Sequence, residues 1–210
     1  MIIFILGPQG SGKDTQSELL SKKLGVPYFS TGELLRKRAK IDDELGNKIN
    51  KILLAGELVP AAIVVDILEE RIKQDDCKNG FILNGYPRNI EQARMIEGRI
   101  EPDKVVFLEI PDDIALKRIT SRMQCPKCGK VFIVKDYDPK NPPVCDVCNV
   151  SLVRRPDDEP EIVKRRLKIY HERTEPLKDY YKKKGVLVVV DGTLSIEEVF
   201  ESLIRALEVE

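Results

Sequence analysis

The chain has 210 residues, 42% hydrophobic and 33% charged, enough to bury a core beneath a well-solvated surface. Lys plus Arg (35) balances Asp plus Glu (35), so the formal net charge is zero. That excludes the basic excess by which a polynucleotide binder is usually known, and any anionic partner is expected to be small and met by local arginines.

From the N-terminus, an apolar run over Ile2–Leu6 leads straight into a glycine loop. The run is too short for a signal segment or a membrane span, and no other stretch approaches about 18 apolar residues. A soluble, cytoplasmic protein with no membrane partner is expected. Residues 2–6, 81–83, 105–110 and 186–190 are β-branched or aromatic and bounded by Gly, Pro or charge, so they read as buried strands. Residues 27–29 add a further short strand. Between them, 15–24, 61–73, 90–99, 112–122 and 161–183 carry helical spacing. Strand–helix alternation predicts an α/β fold, a parallel sheet covered on both faces.

Two stretches break the alternation. Residues 30–59 read as all-helical, and residues 122–158 are rich in Pro, Lys and Cys without helical period. The expected organisation is a core made of 1–29, 60–121 and 159–210, carrying two insertions.

The first strand runs into Gly7-Pro8-Gln9-Gly10-Ser11-Gly12-Lys13-Asp14-Thr15. G-x-x-x-x-G-K between a strand and a helix is a phosphate-binding loop: glycines turn backbone N–H groups inward, and the helix end adds its positive dipole. Lys13 is placed to bridge β and γ phosphates. The hydroxyl expected on Mg²⁺ comes one position later than in the simplest pattern, at Thr15, because Asp14 intervenes.

Further motifs follow in order: Ser30-Thr31-Gly32-Glu33-Leu34-Leu35-Arg36; Gly80-Phe81-Ile82-Leu83-Asn84-Gly85-Tyr86-Pro87-Arg88 with Gln92; Arg118 and Arg122; Arg155 with Asp157 and Asp158; Arg166; and Asp191-Gly192-Thr193. In this order and spacing the sequence resembles the adenylate kinase family over nearly its whole length. The resemblance implies a three-layer P-loop core with a helical insertion that binds the nucleoside monophosphate and a second insertion acting as a lid. It implies transfer of a phosphoryl group from MgATP to AMP, giving two ADP, by an expected monomer.

The resemblance assigns residues as well. ATP would lie against Gly10, Ser11, Gly12, Lys13, Asp14, Thr15, Arg118, Arg122 and Leu194, with Val131 and Phe132 over its base. AMP would lie against Thr31, Arg36, Glu57, Leu58, Val59, Gly85, Tyr86, Pro87, Arg88, Gln92, Arg155 and Arg166. Lys13, Arg88, Arg122, Arg155 and Arg166 would be the catalytic cations. The side chains suit these roles. Arginine forks hold phosphate bidentately where lysine cannot, and Gln92 offers both donor and acceptor to an adenine edge. Phosphoryl transfer needs alignment and cations more than a general base. Relatives acting on UMP, CMP or GMP are the nearest alternative, against which Thr31 and Gln92 favour AMP.

Two positions depart from the family pattern: Asp14 replaces a usual glycine, and Asn84 replaces an aspartate that helps hold magnesium through water. A carboxylate beside phosphates is unfavourable unless it meets a cation or points away. Either Asp14 takes over part of the role lost at position 84, or it caps the helix and faces solvent.

Cys125-Pro126-Lys127-Cys128-Gly129 and Cys145-Asp146-Val147-Cys148-Asn149 form two C-x-x-C pairs, which in a reducing compartment favour metal over disulfides. Four thiolates make a closed tetrahedral site suited to structural Zn²⁺, with iron as a possible substitute. Zinc ribbons also bind nucleic acid, but here the neutral charge and flanking arginines point to a lid. Cys77 stands apart as an inert thiol. His171 is read as solvated or capping, Lys182–Lys184 as the basic end of a helix, and Tyr180 and Tyr181 as packing.

Overall fold

The computed structural model describes residues 1–134, 138 and 140–209. Its strands are β1 (Ile2–Leu6), β2 (Tyr28–Ser30), β3 (Phe81–Asn84), β4 (Lys104–Glu109), β5 (Arg122–Gln124), β6 (Val131–Ile133) and β7 (Leu187–Asp191). Its α-helices are α1 (Lys13–Leu24), α2 (Thr31–Ala39), α3 (Glu44–Leu54), α4 (Ala61–Ile72), α5 (Ile90–Ile96), α6 (Asp112–Thr120), α7 (Pro160–Ile169), α8 (Leu177–Lys183) and α9 (Ile196–Leu207). Five strands form a wholly parallel sheet in the order β2-β3-β1-β4-β7, while β5 and β6 make a separate antiparallel ribbon.

The central strand is buried on both faces, as a parallel strand between helices must be. Phe4 and Leu6 face one apolar cluster and Ile3 and Ile5 the other, the two-residue period of an extended chain. The first cluster takes Leu35, Ile49, Leu68, Ile96 and Leu177 from helices α2, α3, α4, α5 and α8. The second takes Leu20 from α1 and Val199, Leu203 and Leu207 from α9. Each such side chain, fully buried, contributes about 1.5–3 kcal/mol of transfer free energy. Helices α6 and α7 pack on each other through Ala115, Ile119, Val163 and Leu167.

The α/β prediction holds, and element ends shift by one to three residues. Helix α1 begins at Lys13, directly out of the glycine loop, and α5 stops at Ile96 before Gly98 in a left-handed turn. Two differences are larger. Arg122 does not end α6 but opens β5, so it belongs to the ribbon. The insertion at 30–59 holds α2 and α3, whereas the one at 122–158 holds the ribbon, two isolated bridges and a 3-10 turn over Pro156–Asp158.

The predicted helix over 161–183 is interrupted. After α7 the chain makes a π-helical segment, Tyr170–Thr174, closed by Glu175 N–H to Tyr170 O at 2.9 Å, before α8 resumes. Pro176 has no N–H and cannot continue a regular ladder. The extra residue in this turn rotates Thr174 so that its hydroxyl donates to Arg88 O at 2.7 Å.

Candidate active site

The loops leaving the carboxyl ends of β1, β3 and β7 meet the end of β2 over one cleft of about 440 Å³, where ligands bind in parallel α/β sheets. After β1 the backbone turns through Gly7 at φ +142°, and a Cβ there would lie 2.3 Å from Leu108 O. Gly10, at φ +77°, has the same constraint against Ala115. Only glycine fits such close backbone approach. The loop delivers the start of α1 into the cleft with Gly12 as N-cap and no side-chain cap bond, leaving its first N–H groups and dipole end directed there. Lys13 Nζ folds back over the loop, donating to Gly7 O at 3.0 Å and Pro8 O at 2.7 Å.

Gly10, Ser11, Gly12, Lys13, Asp14, Thr15, Arg36, Arg88, Arg118, Arg122, Arg155 and Arg166 all line this cleft, together with Glu57, Leu58, Gly85, Pro87, Val131 and Leu194. The arginines are held from behind. Arg88 Nε donates to Gly85 O at 2.9 Å, and Arg166 Nη1 to Asp157 O at 3.0 Å and its carboxylate at 3.1 Å. Arg122 forks onto the buried Asp158, with Nε to Oδ2 at 2.8 Å, and Arg155 Nε donates to Gln124 Oε1 at 2.6 Å. Arg118 is gripped by three carbonyls, Gly10 at 3.2 Å, Gly192 at 2.9 Å and Thr193 at 3.4 Å, which ties the loop to the turn after β7.

So many cations in one place perturb one another. Burial, reinforced by Arg88, Arg166 and Arg122 and opposed by Asp14, pushes Lys13 from its ordinary 10.5 down to about 7. Burial with Arg166 and Arg36 lowers Arg88 to about 10, and burial with Arg122 and Arg36 does the same to Arg155. Both arginines stay charged at neutral pH.

A smaller recess opens beside Arg88, lined by Thr31, Val59, Tyr86 and Gln92. Thr31 does not cap a helix: the cap position is Ser30, and the Thr31 hydroxyl donates to Gly85 O at 3.0 Å. Gln92 is 2% exposed. Its Oε1 accepts from Arg88 N–H at 2.7 Å, and Asn89 caps α5 through Gln92 N–H. The amide donor of Gln92 thus stands in a recess shared with Thr31.

The sequence assignments do not all converge. Phe132 is not among the cleft residues. Its ring packs with Met123, Cys125, Cys145 and Leu152 in the ribbon, because strand alternation turns Val131 and Ile133 to the cleft instead. Asp14 does not cap α1, whose cap is Gly12: it stands in the first turn, exposed at the cleft, and Asn84 Nδ2 donates to its Oδ1 at 2.6 Å. Sequence reasoning missed Ile169, at the end of α7, and Tyr170 and Thr174, of the π-helical segment, all of which line the cleft wall. Pro176 was the available signal that the long helix would break. His171, at the same segment, is half-exposed and bridges Glu175 at 2.8 Å and Asp112 at 2.9 Å, so it is a surface clasp outside the cleft. Cys77 is buried, and burial raises its pKa.

Beyond the ribbon the four cysteine sulfurs lie within 4.8 Å of one another. The two knuckles match: Gly129 N–H donates to Cys125 O and Asn149 N–H to Cys145 O, with Gly129 at φ +78° and Asn149 at φ +51°. Cys128 Sγ and Cys145 Sγ are 3.8 Å apart, about the edge of a tetrahedron with 2.3 Å metal–sulfur bonds. Lys130 pairs with Asp146 at 2.6 Å and straps one knuckle to the other.

The family model "Adenylate kinase" matches residues 5–186. Curated relatives agree. An adenylate kinase of Caldicellulosiruptor saccharolyticus is 44% identical, covering 100% of both chains. One from Kosmotoga olearia is 41% identical over 99% of each, and one from Thermotoga maritima 41% identical over 97% of this chain and 95% of its own. The chain belongs to the adenylate kinase family, the ATP:AMP phosphotransferases.

The lowered pKa of Lys13 makes nucleotide binding a proton-linked event. A phosphate seated on the loop favours the charged ammonium and returns the pKa toward 10.5, so between about pH 7 and 10 binding should take up close to one proton. Below pH 6 the lysine is already charged and uptake should vanish. Calorimetry of ATP binding at pH 8.5 in buffers of different ionisation enthalpy reads this directly. Lys13→Met should abolish the uptake, and equal uptake in the variant contradicts the assignment.

Proposed function

We propose that, as an adenylate kinase, this chain seats ATP on the glycine loop and AMP in the recess of Thr31 and Gln92, with the arginine cluster between them. The observation that carries this reading is convergence. The uncapped start of α1, Lys13 and six arginines share one cleft, and the recess beside Arg88 offers a buried carboxamide.

Loop amides and Lys13 take the β and γ phosphates of ATP, and Leu194 and Val131 flank its base. Arg118 holds the loop against the turn after β7. Arg36 and Arg88 fork onto the AMP phosphate, while Glu57, Leu58, Val59, Gly85, Tyr86 and Pro87 wall its nucleoside. Arg122, Arg155 and Arg166 close around the transferring group. The AMP phosphate is already anionic at neutral pH, so the protein need supply no general base. It supplies alignment and charge, which dominate the barrier to phosphoryl transfer. Mg²⁺, carried in with ATP, would neutralise phosphate oxygens, and the Thr15 hydroxyl lining the cleft fits as its protein contact.

The lid, residues 122–158, and the helical insertion, residues 30–59, act as closing units. Arg122 and Arg155 flank the lid, so its closure brings both to the phosphates and excludes water that would hydrolyse ATP. Arg165 Nη1, donating to Ala55 O at 3.1 Å, already ties the end of the helical insertion to α7 and supports closure there. Four thiolates in matched knuckles favour Zn²⁺ in a structural role, replacing the apolar core that so small a unit cannot build. Among the described residues no helix is long and apolar enough to cross a membrane. The family resemblance implies a monomer, and unpaired thiols suit the cytoplasm.

Arg88→Ala should lower kcat for ADP formation from ATP and AMP by about 10³ or more. Steady-state kinetics equal to the parent would remove Arg88 from the site. The purified chain should hold one zinc ion, and stripping it should lower Tm by several degrees while residual activity persists below the transition. An unchanged Tm would refute the structural role.

A further inference from the structure

Three carboxylates line the nucleotide cleft, those of Asp14, Glu57 and Asp157. Glu57 has Arg165 at 3.9 Å and Asp157 has Arg166 at 3.1 Å. Asp14 is different. Its hydrogen-bond partner is the neutral amide of Asn84, and among the described residues no lysine or arginine nitrogen stands within ion-pair distance of it. The negative charge is therefore fixed in place with no cation paired to it directly, while Lys13, Arg88, Arg122 and Arg155 feel it from further off.

Asn84 is well built for that task. It ends β3, is 1% exposed, and delivers Nδ2 to Asp14 Oδ1 at 2.6 Å. One carboxylate oxygen of this cleft-lining side chain is thereby anchored, and the other has no hydrogen-bond partner among the described residues. Asp14 stands between Lys13 and Thr15, in the first turn of the helix whose end receives the phosphates. A bare triphosphate arriving there meets a like charge, which raises the free energy of binding. A hydrated magnesium ion removes the conflict. Mg²⁺ typically keeps several waters and is held through one or two carboxylates together with substrate phosphates.

We propose that Asp14 is the carboxylate that receives the water shell of the nucleotide-bound magnesium, with Asn84 as the residue that positions it. This rests on the seating of ATP at the glycine loop. The pair also works as a filter: the fixed charge admits the metal complex and disfavours metal-free ATP. A second carboxylate at position 84 would repel the first, so the neutral amide is the complement that Asp14 requires.

The test is the ratio of two equilibrium constants, Kd for ATP with EDTA over Kd with excess Mg²⁺, measured by calorimetry. Asp14→Asn keeps an oxygen that can accept from Asn84 and removes only the charge. It should bind metal-free ATP more tightly and MgATP more weakly, lowering the ratio about tenfold. Asn84→Ala keeps the charge and removes the anchor, so its ratio should fall less. A ratio in Asp14→Asn equal to the parent's overturns the proposal. So does a fall in Asn84→Ala alone, which would mark the contact as merely structural. ADP formation by the parent chain reports the loop assignment separately, so the two readings fail independently.

Discussion

The structure is organised around concentrated positive charge held where water would ordinarily dilute it. Lys13, Arg36, Arg88, Arg122, Arg155 and Arg166 share one cleft with the bare end of α1. Their mutual repulsion and burial show in the lowered pKa values of Lys13, Arg88 and Arg155. Such an arrangement is unfavourable for the protein alone, and it is sustained by contacts on the far side of most of these cations. Asp157 and Asp158 brace Arg166 and Arg122, carbonyls brace Lys13 and Arg118, and Thr174 braces the backbone of Arg88. Polyphosphate is the ligand that relieves the strain, and the relief is greatest where charge builds during transfer.

Much of this was readable from the chain. The alternation of short apolar runs with helical periods specified the parallel sheet, because a doubly covered strand must be apolar throughout. The loop from Gly7 to Thr15 was legible because its chemistry is local: glycines, a lysine and a helix start, all consecutive. The cysteine knuckles were legible for the same reason, each being a tight turn of five residues. What escaped depended on contacts between distant segments. The π-helical segment exists where Thr174 meets Arg88, and a helical period over 161–183 carries no trace of that meeting. Phe132 and Ile133 exchange sides of the ribbon according to strand register, which one residue decides. The direction of Asp14 could not be settled until Asn84 was seen beside it.

The two insertions solve one problem by different means. The helical one shares the main core, sending Leu35 and Ile49 into the cluster under β1. The ribbon has a cluster of its own, built on Met123, Leu152 and two of the cysteines, with Phe132 and Val134 at its edge. A metal held by the four sulfurs would crosslink that small cluster, from whose ribbon Arg122 projects.

Direct transfer between two bound nucleotides is the central claim. ATP labelled at its terminal phosphorus, mixed with AMP, magnesium and the purified chain in a single turnover, tests it most directly. The account predicts that the label appears in ADP formed from AMP, with none on the protein and negligible free phosphate. Label released as inorganic phosphate, or retained on a side chain, would contradict it.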